Sequence, residues 1–241
     1  MFPAPRPRVT ALSAALVGLV AALAACTGEP VAEEEPPPPP PTLADLDTTT
    51  MTVPRAAFCD EVDDAAVEAA LDGEAAGTAH YDNGDVVALE GGGEDRLHEF
   101  GCRWYGADGA DDPTAPRAAA WVLVPPVTPE TAQAYASAAA DTEGCEPLPA
   151  TDADGTDAEA GPAGFGDPTA ALRCTRTIAA DDGTETTQVE VSHRGLFGDA
   201  WLTCTLAAPS AGQQADDPDA LSALEERADA WCAAVAVAAA D

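Results

Sequence analysis

Between residues 99 and 105 apolar and polar side chains alternate. Phe100, Cys102 and Trp104 fall on one side and Glu99, Arg103 and Tyr105 on the other, and this period of two predicts a strand. A second strand is expected over Ala118–Val124, stopped by Pro125-Pro126, and the turn-rich stretch from Gly106 to Pro116 makes the two a hairpin. Leu172–Ile178, Gln188–Arg194 and Ala200–Ala207 read as a three-stranded meander joined at Asp182-Gly183 and by a Gly195–Asp199 turn. In its last strand Leu202, Cys204 and Leu206 share a face, which leaves Trp201 on the opposite, wetter side.

The spacing becomes helical in three places. Val62, Ala66, Val67, Ala70 and Leu71 predict a helix over Asp60–Leu71, with Asp60 and Glu61 favouring its N-terminal end. Thr128 followed by Pro129 starts a second, with Ala132, Tyr135, Ala136 and Ala139 on one stripe. A third runs from Pro218 to about Ala239 and turns Leu221, Leu224, Ala228, Trp231, Cys232 and Val235 inward. Residues 73–97, rich in glycine and acids, offer one short strand at Val86–Leu89. Helix, strands, helix, strands, helix is the order of an α+β domain. The expected architecture is a mainly antiparallel sheet of five or six strands with three helices packed on one face, in two layers. The roughly 187 residues from 55 onward suffice for one such domain.

What precedes that domain has a different character. Arg6 and Arg8, an apolar run over residues 9–25 and the tetrapeptide Leu23-Ala24-Ala25-Cys26 make a lipoprotein signal. Residues 1–25 would be removed and Cys26 lipidated, holding the chain at the extracytoplasmic face of the cell membrane. Seventeen residues rich in Ala and Gly are short and weakly apolar for a bilayer span. Residues 26–54, with Glu33-Glu34-Glu35 and unbroken proline from Pro36 to Pro41, read as an acidic, extended tether, and 55–241 as the extracytoplasmic domain.

Beyond Cys26 six cysteines remain, Cys59, Cys102, Cys145, Cys174, Cys204 and Cys232, and an even number in an exported chain predicts three disulfides. Of the 15 connectivities six cysteines allow, neighbours in order are expected: Cys59 with Cys102, Cys145 with Cys174, and Cys204 with Cys232. No C-x-x-C occurs and the spacings are wide, so no metal site is expected.

Charge removes several partners. The chain has 43 acids against ten basic residues, all arginine, for a net charge of −33, which argues against nucleic acid or anionic lipid on the folded surface. The acids are spread throughout and read as a solvated surface. The densest cluster, Asp152 to Glu159, fails as a calcium loop, because Gly155 stands fourth rather than sixth and Ala163 occupies the twelfth position. The absence of lysine and the single isoleucine, Ile178, suggest a GC-rich, actinobacterial genome.

No catalytic constellation or cofactor motif emerges. His80, His98 and His193 lie on separate elements, and Ser192 and His193, adjacent in a strand, point to opposite faces. No G-x-S-x-G, phosphate loop, dinucleotide fingerprint or HExxH is present. Trp104, Trp121, Trp201 and Trp231 read first as core, with Trp121 or Trp201 lining a cleft for an apolar or glycan ligand as the alternative. Arg103, Arg173 and Arg176 could meet an anionic ligand, with local ion pairing as the plainer role.

The run Phe58-Cys59 opening a helix, then Gly101-Cys102-Arg103-Trp104, then Gly164-Phe165-Gly166-Asp167, a strand pair and a terminal helix resembles the DUF3558-type actinobacterial lipoproteins over most of residues 55–241. Cysteines 145, 174, 204 and 232 depart from that family's two-cysteine pattern. The resemblance implies a lipid-anchored or secreted domain without an assigned reaction and carries over no catalytic residue. The function expected is non-catalytic binding, as an accessory subunit to another envelope protein, with a small-ligand carrier or sensor as the alternative and a hydrolase of envelope material behind both. A protein partner calls for an exposed apolar patch near Ala118–Val124, a small ligand for a closed apolar pocket.

Overall fold

Segments with alternating side chains pair here with their neighbours into a seven-stranded sheet. The computed structural model describes residues 42–88, 94–148, 164–179, 185–210 and 217–240, apart from residues 57, 108 and 113. Among these, in chain order, lie α1 (Asp64–Leu71), β1 (Gly77–Tyr81), β2 (Val86–Ala88), β3 (Glu94–Arg96), β4 (Glu99–Tyr105), β5 (Arg117–Leu123), α2 (Pro129–Ala140), β6 (Cys145–Pro147), β7 (Thr169–Ala179), β8 (Glu185–Phe197), β9 (Ala200–Ser210) and α3 (Pro218–Ala238). Seven strands form a single antiparallel sheet in the order β1-β4-β5-β9-β8-β7-β6, and β2 and β3 make a separate two-stranded ribbon. The sheet exceeds the expected five or six strands because of its edges. Gly77-Thr78-Ala79 in β1 has no apolar alternation, β6 is three residues long, and each exists through its partner.

One face holds the main core. Register carries Cys102 of β4 across Ala120 and Cys204 to His193, so Trp104, Val122, Leu202, Leu206 and Val191 point the same way beneath α1 and α3. Trp231 of α3 meets Trp104 edge-on at 5.1 Å and donates its indole N–H to the Ala119 carbonyl at 3.3 Å. Phe165 seats over Gly195, where any side chain would meet its ring, and packs edge-on against Phe197.

The two-layer expectation needs correction at α2, which lies on the other face. Its Ala132 and Ala136 pack with Val127 against Leu196 and Trp201, and its Ala139 against Leu172 and Cys174. Trp201, expected to be wet, is buried there. The sheet's centre has too many apolar residues for one face, and an alanine-rich helix lies close enough to seal the second.

Other differences are local. Helix α1 begins at Asp64, capped by Asp63, whose carboxylate accepts the Ala65 N–H; the residues before it form a 3₁₀ turn over Phe58–Glu61. Helix α2 starts as expected, with Thr128 as cap and Pro129 first, but Tyr135 is exposed at its rim and Leu221 of α3 is only partly buried. The β8–β9 turn tightens to Gly198-Asp199, with Phe197 facing Ala200 and Gly198 at φ 55°. Packing reaches upstream of residue 55: Leu43, Met51 and Val53 join the core, and Arg55 pins this stretch to the Leu123 carbonyl and to Asp199. The signal, Cys26, the proline run, the acidic cluster at Asp152 to Glu159 and the Asp182-Gly183 turn lie outside the described residues.

Three disulfides join the cysteines in sequence order. Cys59–Cys102 and Cys204–Cys232 fasten the segment before α1 and helix α3 to the core face, with Cα separations of 6.0 and 5.6 Å. Cys145–Cys174 links directly opposed residues of β6 and β7, 4.0 Å apart at Cα.

Candidate functional site

The alternation that buries Cys102 and Trp104 turns Arg103 to the opposite face. There Gly101 lies beside Trp121 on β5, and a Cβ at 101 would run into the indole, so the missing side chain lets the ring lie over the backbone. Tyr81 from β1 closes the other side, its ring centroid 5.1 Å from that of Trp121. The Arg103 guanidinium stands over both rings, 5.6 Å from Tyr81 and 5.7 Å from Trp121. All three side chains are half-buried. Burial, reinforced by a 3.5 Å hydrogen bond with Tyr105, pushes the Tyr81 phenol above its usual pKa, so the cluster's charge is that of Arg103.

No carboxylate among the described residues lies within ion-pair distance of Arg103. In a chain of net charge −33 that is unusual: Arg55 and Arg227 each have one, and Arg173 has two. Aromatic faces offer a guanidinium no strong hydrogen-bond acceptor, so its N–H donors stay available to a carboxylate or phosphate, which can take two at once.

Register assigns Arg117, Arg176 and Arg194 to this face as well, four of the chain's ten arginines with Arg103, against Glu99 and Glu190. Arg117 donates to Gln188 Oε1 at 2.5 Å. Burial lowers the Arg194 pKa while Glu190 and Glu99 act to raise it, and its Nε is buried without a hydrogen bond. Burial likewise pushes the Glu99 carboxyl up, against the opposing pull of Arg194. Glu99 and Arg194 line an open cleft of about 330 Å³ between α2 and the sheet, together with Leu123, Tyr135, Trp201 and Thr203.

The structure thus unites Trp121 with Arg103, carries Arg176 to the same face by register, and removes Arg173. Arg173 stands on the other side, hydrogen-bonded to Glu146 at 2.8 Å and Glu225 at 2.7 Å, which is local ion pairing. Trp104 and Trp231 are core, and Trp201 contributes only an edge to the cleft. Ser192 and His193 do point to opposite faces; buried His193 has Nε2 2.9 Å from Asp229 Oδ1, an ion-pair separation without the alignment of a hydrogen bond. The apolar patch expected at Ala118–Val124 is corrected, because β5 lies between β4 and β9 and buries Ala118, Ala119, Ala120 and Val122. Tyr81 escaped sequence reasoning, since Gly77-Thr78-Ala79-His80 before it shows no strand pattern.

Comparison with protein-family models, with curated proteins and with solved structures finds no match.

Proposed function

We propose that this protein is a lipid-anchored, non-catalytic binding subunit, held at the extracytoplasmic face of the membrane through Cys26. It serves as accessory to another envelope protein and grips it with the part of the second sheet face that α2 leaves uncovered. The observation that carries this reading is Arg103, placed over Tyr81 and Trp121 and without a carboxylate at ion-pair distance among the described residues of an acidic chain. Trp, Tyr and Arg are the residue types that dominate interface energetics, and all three meet here. The resemblance to DUF3558-type lipoproteins agrees with an envelope location and supplies no reaction.

The test is crosslinking of the lipidated chain in its native envelope, followed by mass spectrometry, with wild type beside Arg103→Glu. One recurrent partner, lost in the variant while its unfolding midpoint stays within a few degrees, is the expected result. A partner retained undiminished, or none recovered from abundant intact protein, overturns the reading.

The cleft lined by Glu99 and Arg194 favours a second reading, a carrier or sensor of a small anionic ligand. It is open rather than closed, and small-ligand sites bury most of their ligand, which makes it the weaker of the two. A ligand screen in which stabilisation disappears in Arg194→Met would promote it.

A further inference from the structure

The two edges of the sheet are finished differently. Edge β6 is three residues long, ends in Pro147, is linked to β7 by Cys145–Cys174, and is crossed by Arg173, which binds Glu146. Proline, shortness and charge are the usual means of blunting an edge against further pairing. Edge β1 has none of these except modest length: Gly77-Thr78-Ala79-His80-Tyr81 contains no proline and no charged residue other than a titratable histidine. It pairs with β4 on one side, and among the described residues no strand pairs with the other. Alternate backbone N–H and C=O groups along that side are therefore directed outward. Thr78 and His80 are exposed beside this edge.

The unpaired edge adjoins the unpaired charge. Ala79 lies opposite Arg103 in the β1–β4 register, and Tyr81 opposite Gly101. A strand added to β1 would lie about 10 Å from β4, two strand spacings. Only the methyl of Ala79 stands between in that row, and a glutamate on the added strand meets the Arg103 guanidinium when the latter swings from its place between the Tyr81 and Trp121 rings toward the edge. The surroundings on the other face are acidic: Asp60 Oδ1 is 4.0 Å from His80, and Asp64, Glu68 and Glu74 line the cleft that reaches Thr78. Carboxylates on an added strand are thus favoured on the Arg103 side and repelled on the other.

From this geometry we infer that β1 accepts an extended segment of the partner as an eighth strand, with acidic residues at every second position directed toward Arg103 and uncharged residues between them. The inference rests on the binding function proposed above and adds the chemistry of the partner. Backbone pairing supplies affinity, and the alternating side-chain positions supply selectivity.

The probe is a blocked, fluorescent decapeptide of alternating Glu and Thr, titrated by anisotropy into the full-length protein in detergent. Two controls carry Gln for Glu, or N-methyl groups on every second amide of the Glu peptide. Saturable binding of the Glu peptide is expected, weakened at least tenfold in both controls and in Arg103→Met, whose methionine keeps an apolar contact with the rings. Equal binding of the Gln peptide overturns the charge requirement, equal binding of the methylated peptide overturns strand addition, and no binding of the Glu peptide overturns the inference. Crosslinking in the envelope from Thr78→benzoylphenylalanine at the edge and from Thr205→benzoylphenylalanine, half-buried on β9 on the same sheet face as Arg103, separates this inference from the function beneath it. A partner caught from Thr205 but not Thr78 defeats strand addition and leaves the binding role standing. No partner from either position defeats both.

Discussion

The two faces of the sheet solve different problems with the same strands. The face under α1 and α3 is sealed by Phe58, Val122, Leu202, Trp231 and Val235, all at most 2 % exposed, and is fastened by two disulfides. Across the sheet, α2 seals one end with alanines, and toward β1 the face keeps half-buried aromatic rings and guanidinium groups. Free energy of folding resides mainly on the first, where removal of apolar surface from water is most complete. Arg103, with no carboxylate at ion-pair distance among the described residues, and the Arg194 Nε, buried without a hydrogen bond, stand on the second, while the first buries His193 with neither ring nitrogen hydrogen-bonded. On the binding function proposed above, stability and recognition would be carried by different faces.

That contrast is broken most directly by truncating a tryptophan on each side. Trp231→Ala is expected to cost about 3–5 kcal/mol in urea unfolding, as for other buried aromatic residues, and Trp121→Ala, half-buried, clearly less. Equal losses would mean that both faces carry the core. Replacement of Cys204 and Cys232 together by alanine should cost roughly 3 kcal/mol, lowering the unfolding midpoint by several degrees without altering binding at Arg103.

Glu99 gives a smaller effect with a defined pH dependence. Its carboxyl is raised in the folded state, chiefly by burial, so the folded protein holds that proton to higher pH than the unfolded chain. The site's contribution is therefore full below the ordinary carboxylate range and falls as pH rises through the elevated pKa. Glu99→Gln should raise the melting temperature at pH 7, and the gain should vanish below about pH 4; an equal gain at both values would show that burial of charge is not the cause. The smallest stability effect is expected for Arg103→Met, under about 0.5 kcal/mol, although the same change should abolish capture of the partner. A loss comparable to that at Trp231 would make the arginine structural and erase the distinction between the faces.

How much of this was legible depended on how local its cause was. Glu99–Tyr105 alternates strictly and was predicted to the residue, and Thr128-Pro129 fixes the start of α2 through its own cap. Cys145–Cys174 and Cys204–Cys232 each join consecutive elements, so neighbour pairing follows there from short connections, whereas α1, β1, β2 and β3 lie between Cys59 and Cys102. The candidate site was half visible: Trp121 and Arg103 stood out as an aromatic and a cation in an acidic chain, whereas Tyr81 lay in a stretch with no periodic signal.

The sequence by itself determined the strand and helix segments that carry their own period, the class of fold, and the charge of the surface, because each depends on residues close together in the chain. Only the tertiary structure decided which face each helix covers, since a strand rich in apolar residues on both sides, such as β9 with Trp201 opposite Leu202, does not say which helix will seal which side. It alone decided the edges as well. β1 and β6 are strands because β4 and β7 supply their hydrogen bonds, and an edge, by its nature, is defined by what lies beside it.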